Sequence, residues 1–212
     1  MQIALIGASG FIGSAILKEA LARGHRVKAL VGRPDRLAAH QNLQAVKSDV
    51  FDVAELTQHL RGVPVVISAF SGHSSPDVRE HYRRGLEAIV SATKAAGIKR
   101  FLVVGGAGSL DVSPGVQLVD SPDFPAQWKQ SALAARDGLA LMRAQTELDW
   151  TMLSPSAYIH PGERTGSFRL GTDQLLVSAR GKSEISLEDF AVAMLDEVER
   201  PTHVRARFTV GY

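Results

Sequence analysis

Short apolar runs of strand length alternate along the chain with longer runs whose apolar residues recur every three or four positions. This alternation predicts a parallel sheet covered by helices on both faces. Gln2–Ile6 reads as the first strand and Phe11–Arg23 as a helix ended by Gly24. Arg26–Val31 is the second strand, Asn42–Lys47 a weaker third, and Val53–Leu60 a helix. Val63–Ala69 is a largely apolar run and fits a central strand. A long helix is expected over Pro76–Ala96, then a strand at Lys99–Val104 and a helix at Pro125–Ala144 with Trp128 and Leu133 on its buried side. Trp150–Leu153, a helix at Leu187–Glu199 and a last strand at Arg207–Gly211 complete the pattern.

Two stretches break this rhythm, and both leave the carboxyl end of a strand. Gly105–Pro125 is rich in Gly, Ser, Asp and Pro, and Ala157–Ser186 holds polar turns with two short apolar runs. Ligands of doubly wound sheets sit beyond the carboxyl ends of the strands, so both stretches are expected to wall a substrate. One Rossmann-type α/β domain spanning residues 1–212, with a small C-terminal substrate-binding portion, accommodates all of this.

Composition narrows the classes. Lysine and arginine number 24 against 22 acids, so the net charge of +2 carries no polyanion-binding signal. Arg83-Arg84 and Lys99-Arg100 are isolated basic pairs, and no nucleic-acid partner is expected. There is no cysteine, which excludes disulfides and thiolate catalysis and fits a reducing cytoplasm. No apolar run reaches the roughly 20 residues of a membrane span. Met1–Ile6 lacks a basic leader and runs into glycines, as a buried strand does. His73 and His81, with Asp77 and Glu80 between them, do not have a zinc-site spacing, and no metal is expected.

Chemistry concentrates at Gly7-Ala8-Ser9-Gly10-Phe11-Ile12-Gly13, between a strand and a helix. The first glycine permits a tight turn, the second lets backbone approach a pyrophosphate, and the third lets helix and strand pack closely. The free N–H groups opening the helix would face the phosphates. About 20 residues on, where NAD-type sites carry an acid for the ribose 2′-hydroxyl, stands Arg33. A guanidinium there favours a 2′-phosphate, hence NADP(H) over NAD(H), with Arg36 one turn further on. Asp49 and Val50, after the third strand, are candidates for the adenine. Ala69, Phe70 and Ser71, after the fourth, are candidates for the ribose and nicotinamide.

Gly7–Gly13, Arg33, Ser48–Val50 and Val103–Leu110 together resemble the atypical short-chain dehydrogenase/reductase superfamily. The likeness is greatest to NAD(P)H-binding proteins of the NADH-flavin reductase and biliverdin-IXβ reductase kind. Asp149–Pro155, Ile185–Ala191 and Arg207–Tyr212 extend it across the chain. The resemblance implies hydride transfer from NADPH to a planar conjugated acceptor, with flavin as a substrate rather than a resident cofactor. It implies that Ser154, Pro155, Ser156 and Ala157 touch the nicotinamide and that Ser109 faces the substrate. The Tyr-x-x-x-Lys pair of the wider superfamily is missing: four residues beyond Tyr82 stands Leu86, and beyond Tyr158, Gly162. Ser109 and Tyr158 could bond an acceptor and His160 could donate a proton. The expected partners are a small planar acceptor and a second copy of the chain. The competing readings are a non-catalytic NADP(H) sensor and, less favoured, an epimerase or dehydratase.

Overall fold

The computed structural model describes residues Met1–Tyr212. The strands are β1 Gln2–Ile6, β2 Arg26–Val31, β3 Leu43–Lys47, β4 Val65–Ser68, β5 Arg100–Val104, β6 Asp111–Ser113, β7 Val116–Gln117, β8 Asp149–Ser154, β9 Tyr158–His160, β10 Arg169–Gly171, β11 Glu184–Ser186 and β12 Ala206–Gly211. The helices are α1 Phe11–Ala22, α2 Val53–Leu60, α3 Val78–Ala95, α4 Ala126–Arg143 and α5 Leu187–Glu199. Eight strands form one sheet in the order β10-β12-β8-β5-β4-β1-β2-β3. All its pairings are parallel except β10 with β12.

The apolar strands are covered on both faces. Ile3, Leu5, Ile67, Leu153 and Phe208 pack with α1 and α5. Ala4, Ile6, Val66, Phe101 and Trp150 pack with α2, α3 and α4 on the other side. Burying a side chain the size of Phe101, Phe190 or Phe208 contributes about 1.5–3 kcal/mol each. The fold is the expected Rossmann-type doubly wound sheet.

The small strands were not anticipated. β6 and β7 form an antiparallel hairpin within the 105–125 stretch. β9 pairs with β11, and three-residue β10 closes the sheet edge against β12. Runs this short give too few periods for alternation to show in the sequence. Trp128 is a correction: it is 54% exposed, not on the buried side of α4, whose interior residues are Ala134, Gly138, Leu139 and Met142.

Candidate functional site

Strand order reverses at β1, whose neighbours are β2 and β4, so the connections leaving β1 and β4 part on opposite faces of the sheet. The turn after β1 is wedged into this opening. Gly7 N–H donates to Leu30 O at 3.1 Å, and Ala69 N–H donates to Ile6 O at 2.9 Å. Gly7 sits at φ +79°, and a Cβ there would lie 2.7 Å from Ala69 O. A Cβ on Gly13 would lie 2.1 Å from Gly7 O, so α1 packs directly onto the turn. Contact therefore requires glycine at both positions, and at Gly7 the left-handed backbone requires it as well.

What the turn presents is an open helix end. Gly10 stands at the N-cap of α1 without a side chain to cap it, and the first turn holds no acid. By contrast, Asp52 caps α2, Asp77 caps α3 and Ser186 caps α5. The bare end of α1, with its partial positive charge, is a seat for an anion.

Gly10, Phe11 and Ile12 open into a cleft of about 560 Å³, within the usual size of a small-molecule site. Ala69, Phe70 and Ser71 line it from the end of β4, and Pro155, Ser156 and Ala157 from the end of β8. The structure thus brings together three of the sequence-predicted groups. Phe70 is held by α3: its ring lies 6.2 Å from that of Tyr82, and a Cβ on Gly85 would meet it at 2.2 Å.

The far wall is α4. Trp128, Ser131, Ala132 and Ala135 share one helical face and line the cleft. The loop after β5 lies flat on this face. A Cβ on Gly108 would sit 2.7 Å from the Ala132 Cβ, and one on Gly106 would sit 2.7 Å from the Ala135 Cβ. The glycines of Gly105–Gly108 therefore serve close packing. Leu118, Ser121, Asp123, Phe124 and Pro125 line the cleft from the later part of the 105–125 stretch.

Other predicted residues lie elsewhere. Arg33 and Arg36 are exposed just beyond β2, around a short turn of 3-10 helix, and neither pairs with the intervening Asp35. Asp49 is exposed after β3 and accepts from Phe51 N–H at 3.0 Å; the cap of α2 is Asp52. Val50 packs against the α2–α3 side of the core. Gly7, Ala8, Ser9 and Gly13 build the turn behind the lining, and the hydroxyl of Ser154 is buried without a partner beneath Gly105.

The three polar candidates for chemistry are corrected by the geometry. Ser109 is 1% exposed, and its hydroxyl accepts from Arg207 at 3.3 Å rather than facing the cleft. Arg207 in turn is clamped by Asp173. On β9, Ile159 lines the cleft while Tyr158 and His160 do not, because alternate residues of a strand face opposite ways. Tyr158 and His160 stack with ring centres 4.8 Å apart, and His160 Nδ1 sits 2.9 Å from Pro161 O. The 157–186 stretch contributes only Ala157 and Ile159 to the wall. Its remainder is structural: Arg164 grips Glu19 of α1 through two bonds of 2.8 Å. Thr165 Oγ1 and Gly166 N–H donate to the fully buried Asp189 carboxylate, which also takes the Tyr212 hydroxyl at 2.8 Å.

Two aromatic side chains of the lining, Tyr82 and Trp128, escaped the sequence reading. Tyr82 is 7% exposed, and its hydroxyl is buried without any partner. Burial pushes its phenol far above the ordinary tyrosine range, so it stays protonated and neutral. Trp128 was the other. The spacing of Ser131, Ala132 and Ala135 after it, small residues on one face, was the signal that this face borders a space.

The turn and the bare helix end fit a dinucleotide pyrophosphate. The comparisons agree. The profile of the NAD(P)H-binding family matches residues 7–201. The Bacillus subtilis protein YwnB is 39% identical over 213 residues, covering 99% of this chain and 98% of that protein. A Burkholderia pseudomallei protein provisionally called an exported protein is 44% identical, with a TM-score of 0.91 and full coverage of both chains. A Streptococcus pneumoniae protein provisionally called an NADH-flavin reductase is 35% identical, with a TM-score of 0.84, covering 100% of this chain and 99% of that one. No helix of the structure is long and apolar enough to cross a membrane. With the match running from the glycine turn to the end of α5, the chain belongs to the NAD(P)H-binding family.

Proposed function

We propose that the chain is a reductase that uses NADPH in preference to NADH and passes hydride to a planar conjugated acceptor such as a flavin or quinone. The observation that carries this reading is that one apolar cleft joins the bare N-terminus of α1 to the aromatic wall at Trp128. Gly10–Ile12 hold the pyrophosphate, and Arg33 with Arg36 meets the 2′-phosphate of the ribose. A reduced nicotinamide bound there supplies a hydride, and water supplies the proton that completes reduction of the acceptor. The chain's own part is to orient two flat rings and keep bulk water from between them. With Ser109, Tyr158 and His160 off the wall, no dedicated side-chain acid is required of it. Steady-state oxidation of NADPH over a panel of flavins and quinones is the test. Turnover is expected; NADPH binding with no turnover across the panel overturns the reductase reading.

A second reading, an NADP(H) sensor, draws on the missing Tyr-x-x-x-Lys pair. It predicts a protein partner whose binding changes with the nucleotide. Pull-downs with and without NADPH separate the two, since a reductase needs no such dependence.

A further inference from the structure

Charge is distributed unevenly around the cleft. None of its 29 lining residues is a lysine or arginine, and the ionisable ones are His73, Tyr82 and Asp123. Three guanidiniums on the flanking helices and strands are committed to protein carboxylates: Arg79 to Asp137, Arg136 to Asp120 at 2.8 Å, and Arg207 to Asp173. A phosphate or carboxylate on an acceptor would therefore lose its hydration to an apolar wall with no counter-charge. The remaining backbone seat for an anion is the uncapped start of α4, behind Pro125. Asp123, two residues before Pro125 and itself on the cleft wall, opposes a second negative charge there.

The same wall holds one buried donor in want of an acceptor. The Tyr82 hydroxyl has no partner, which is uncommon for a buried polar group in a native protein and points to a ligand that supplies one. It lies between α3 and α4, where a Cβ on Gly138 would be 3.2 Å from it. A carbonyl oxygen suits a neutral phenol; a formal charge is not needed.

Resting on the reductase reading, we infer that the acceptor side of the cleft takes an uncharged planar carbonyl compound, stacked at Trp128 and bonded by the Tyr82 hydroxyl, and discriminates against phosphorylated or carboxylated acceptors. Calorimetry on the full chain saturated with NADP+ tests this with matched probes: riboflavin against flavin mononucleotide, and 2-methyl-1,4-naphthoquinone against 1,4-naphthoquinone-2-sulfonate. The neutral member of each pair is expected to bind about tenfold more tightly or better. Tyr82→Phe should weaken binding of the neutral probes about three- to tenfold. It should leave NADP+ affinity within about twofold and the melting temperature unchanged or higher, since it removes a hydroxyl that the free protein leaves unbonded. Charged probes binding as tightly as neutral ones, or no probe binding at all, overturns the inference. A Tyr82→Phe protein that binds the neutral probes undiminished overturns the role of the hydroxyl. Selective binding of neutral probes without NADPH oxidation sinks the reductase reading while the neutral seat stands. Equal kcat/KM for both members of each pair does the reverse.

Discussion

The N-termini of α1 and α5 both follow a strand, and they are finished in opposite ways. At α5 the end is closed from within: Ser186 caps the helix, and Asp189 takes Thr165, Gly166 and Tyr212. At α1 Gly10 supplies no cap, no acid stands in the first turn, and the end opens on the cleft. The helix end that joins the two halves of the fold is saturated; the one offered to a ligand is left bare. An uncapped helix end that opens on a cleft is therefore a better guide to the site than a polar side chain in a loop.

The α1 end is most vulnerable at Gly13. Gly13→Ala forces a Cβ to 2.1 Å from Gly7 O. Nucleotide affinity is expected to fall about 100-fold, with a stability loss of about 2–4 kcal/mol, by calorimetry and urea unfolding. Asp189→Ala is the mirror experiment. Leaving the donors of Thr165, Gly166 and Tyr212 unmet should cost about 2–3 kcal/mol in thermal unfolding, with nucleotide affinity kept within about twofold. If Asp189→Ala instead abolishes nucleotide binding, the division between structural and ligand-facing helix ends fails.

Arg33→Ala sharpens the contrast at smaller amplitude. It should weaken NADPH binding about tenfold and NADH binding little, the loss of one charge-assisted contact. An equal loss for both nucleotides refutes the 2′-phosphate role. Smallest is a pH effect on the tie between the two regions. The Arg164 guanidinium, opposed by burial and seconded by Arg23, holds the Glu19 carboxyl below the usual carboxylate range. A depressed folded pKa stabilises fully above the unfolded value near 4.5 and gives that stability up as pH falls through the folded value. Glu19→Gln should therefore lower the melting temperature at pH 7 and flatten its decline between about pH 5 and pH 3. A parallel decline in both proteins would show that the carboxylate is not the acid-labile group.

The sheet was legible because its central strands are mostly apolar and its helices repeat every three to four residues. The glycine turn was legible because its glycines keep a fixed spacing between a strand and a helix, and Gly13 packs on Gly7 six residues before it, although Gly7 itself is pressed against distant Ala69. The acceptor wall was not. Tyr82 and Trp128 come together through the packing of α3 on α4, a juxtaposition that no local period encodes. Ser109 looked functional because it sits in a glycine-rich loop after β5, yet those glycines serve α4 and the serine serves Arg207, 98 residues away in sequence. Tyr158 and His160 were misplaced by a two-fold alternation too short to be recognised, since β9 has three residues.

The stripe of α4 that borders the cleft has a consequence for how this protein can diversify. Ala132 and Ala135 are held to their size by Gly108 and Gly106 beneath them, so enlarging either would collide with the loop before it reshaped the space. Trp128 and Ser131 carry no such backing, and Trp128 stands more than half exposed. Descendants that change what they accept should then differ first at positions 128 and 131, one turn of helix, while the sheet and the glycine turn pass on unaltered.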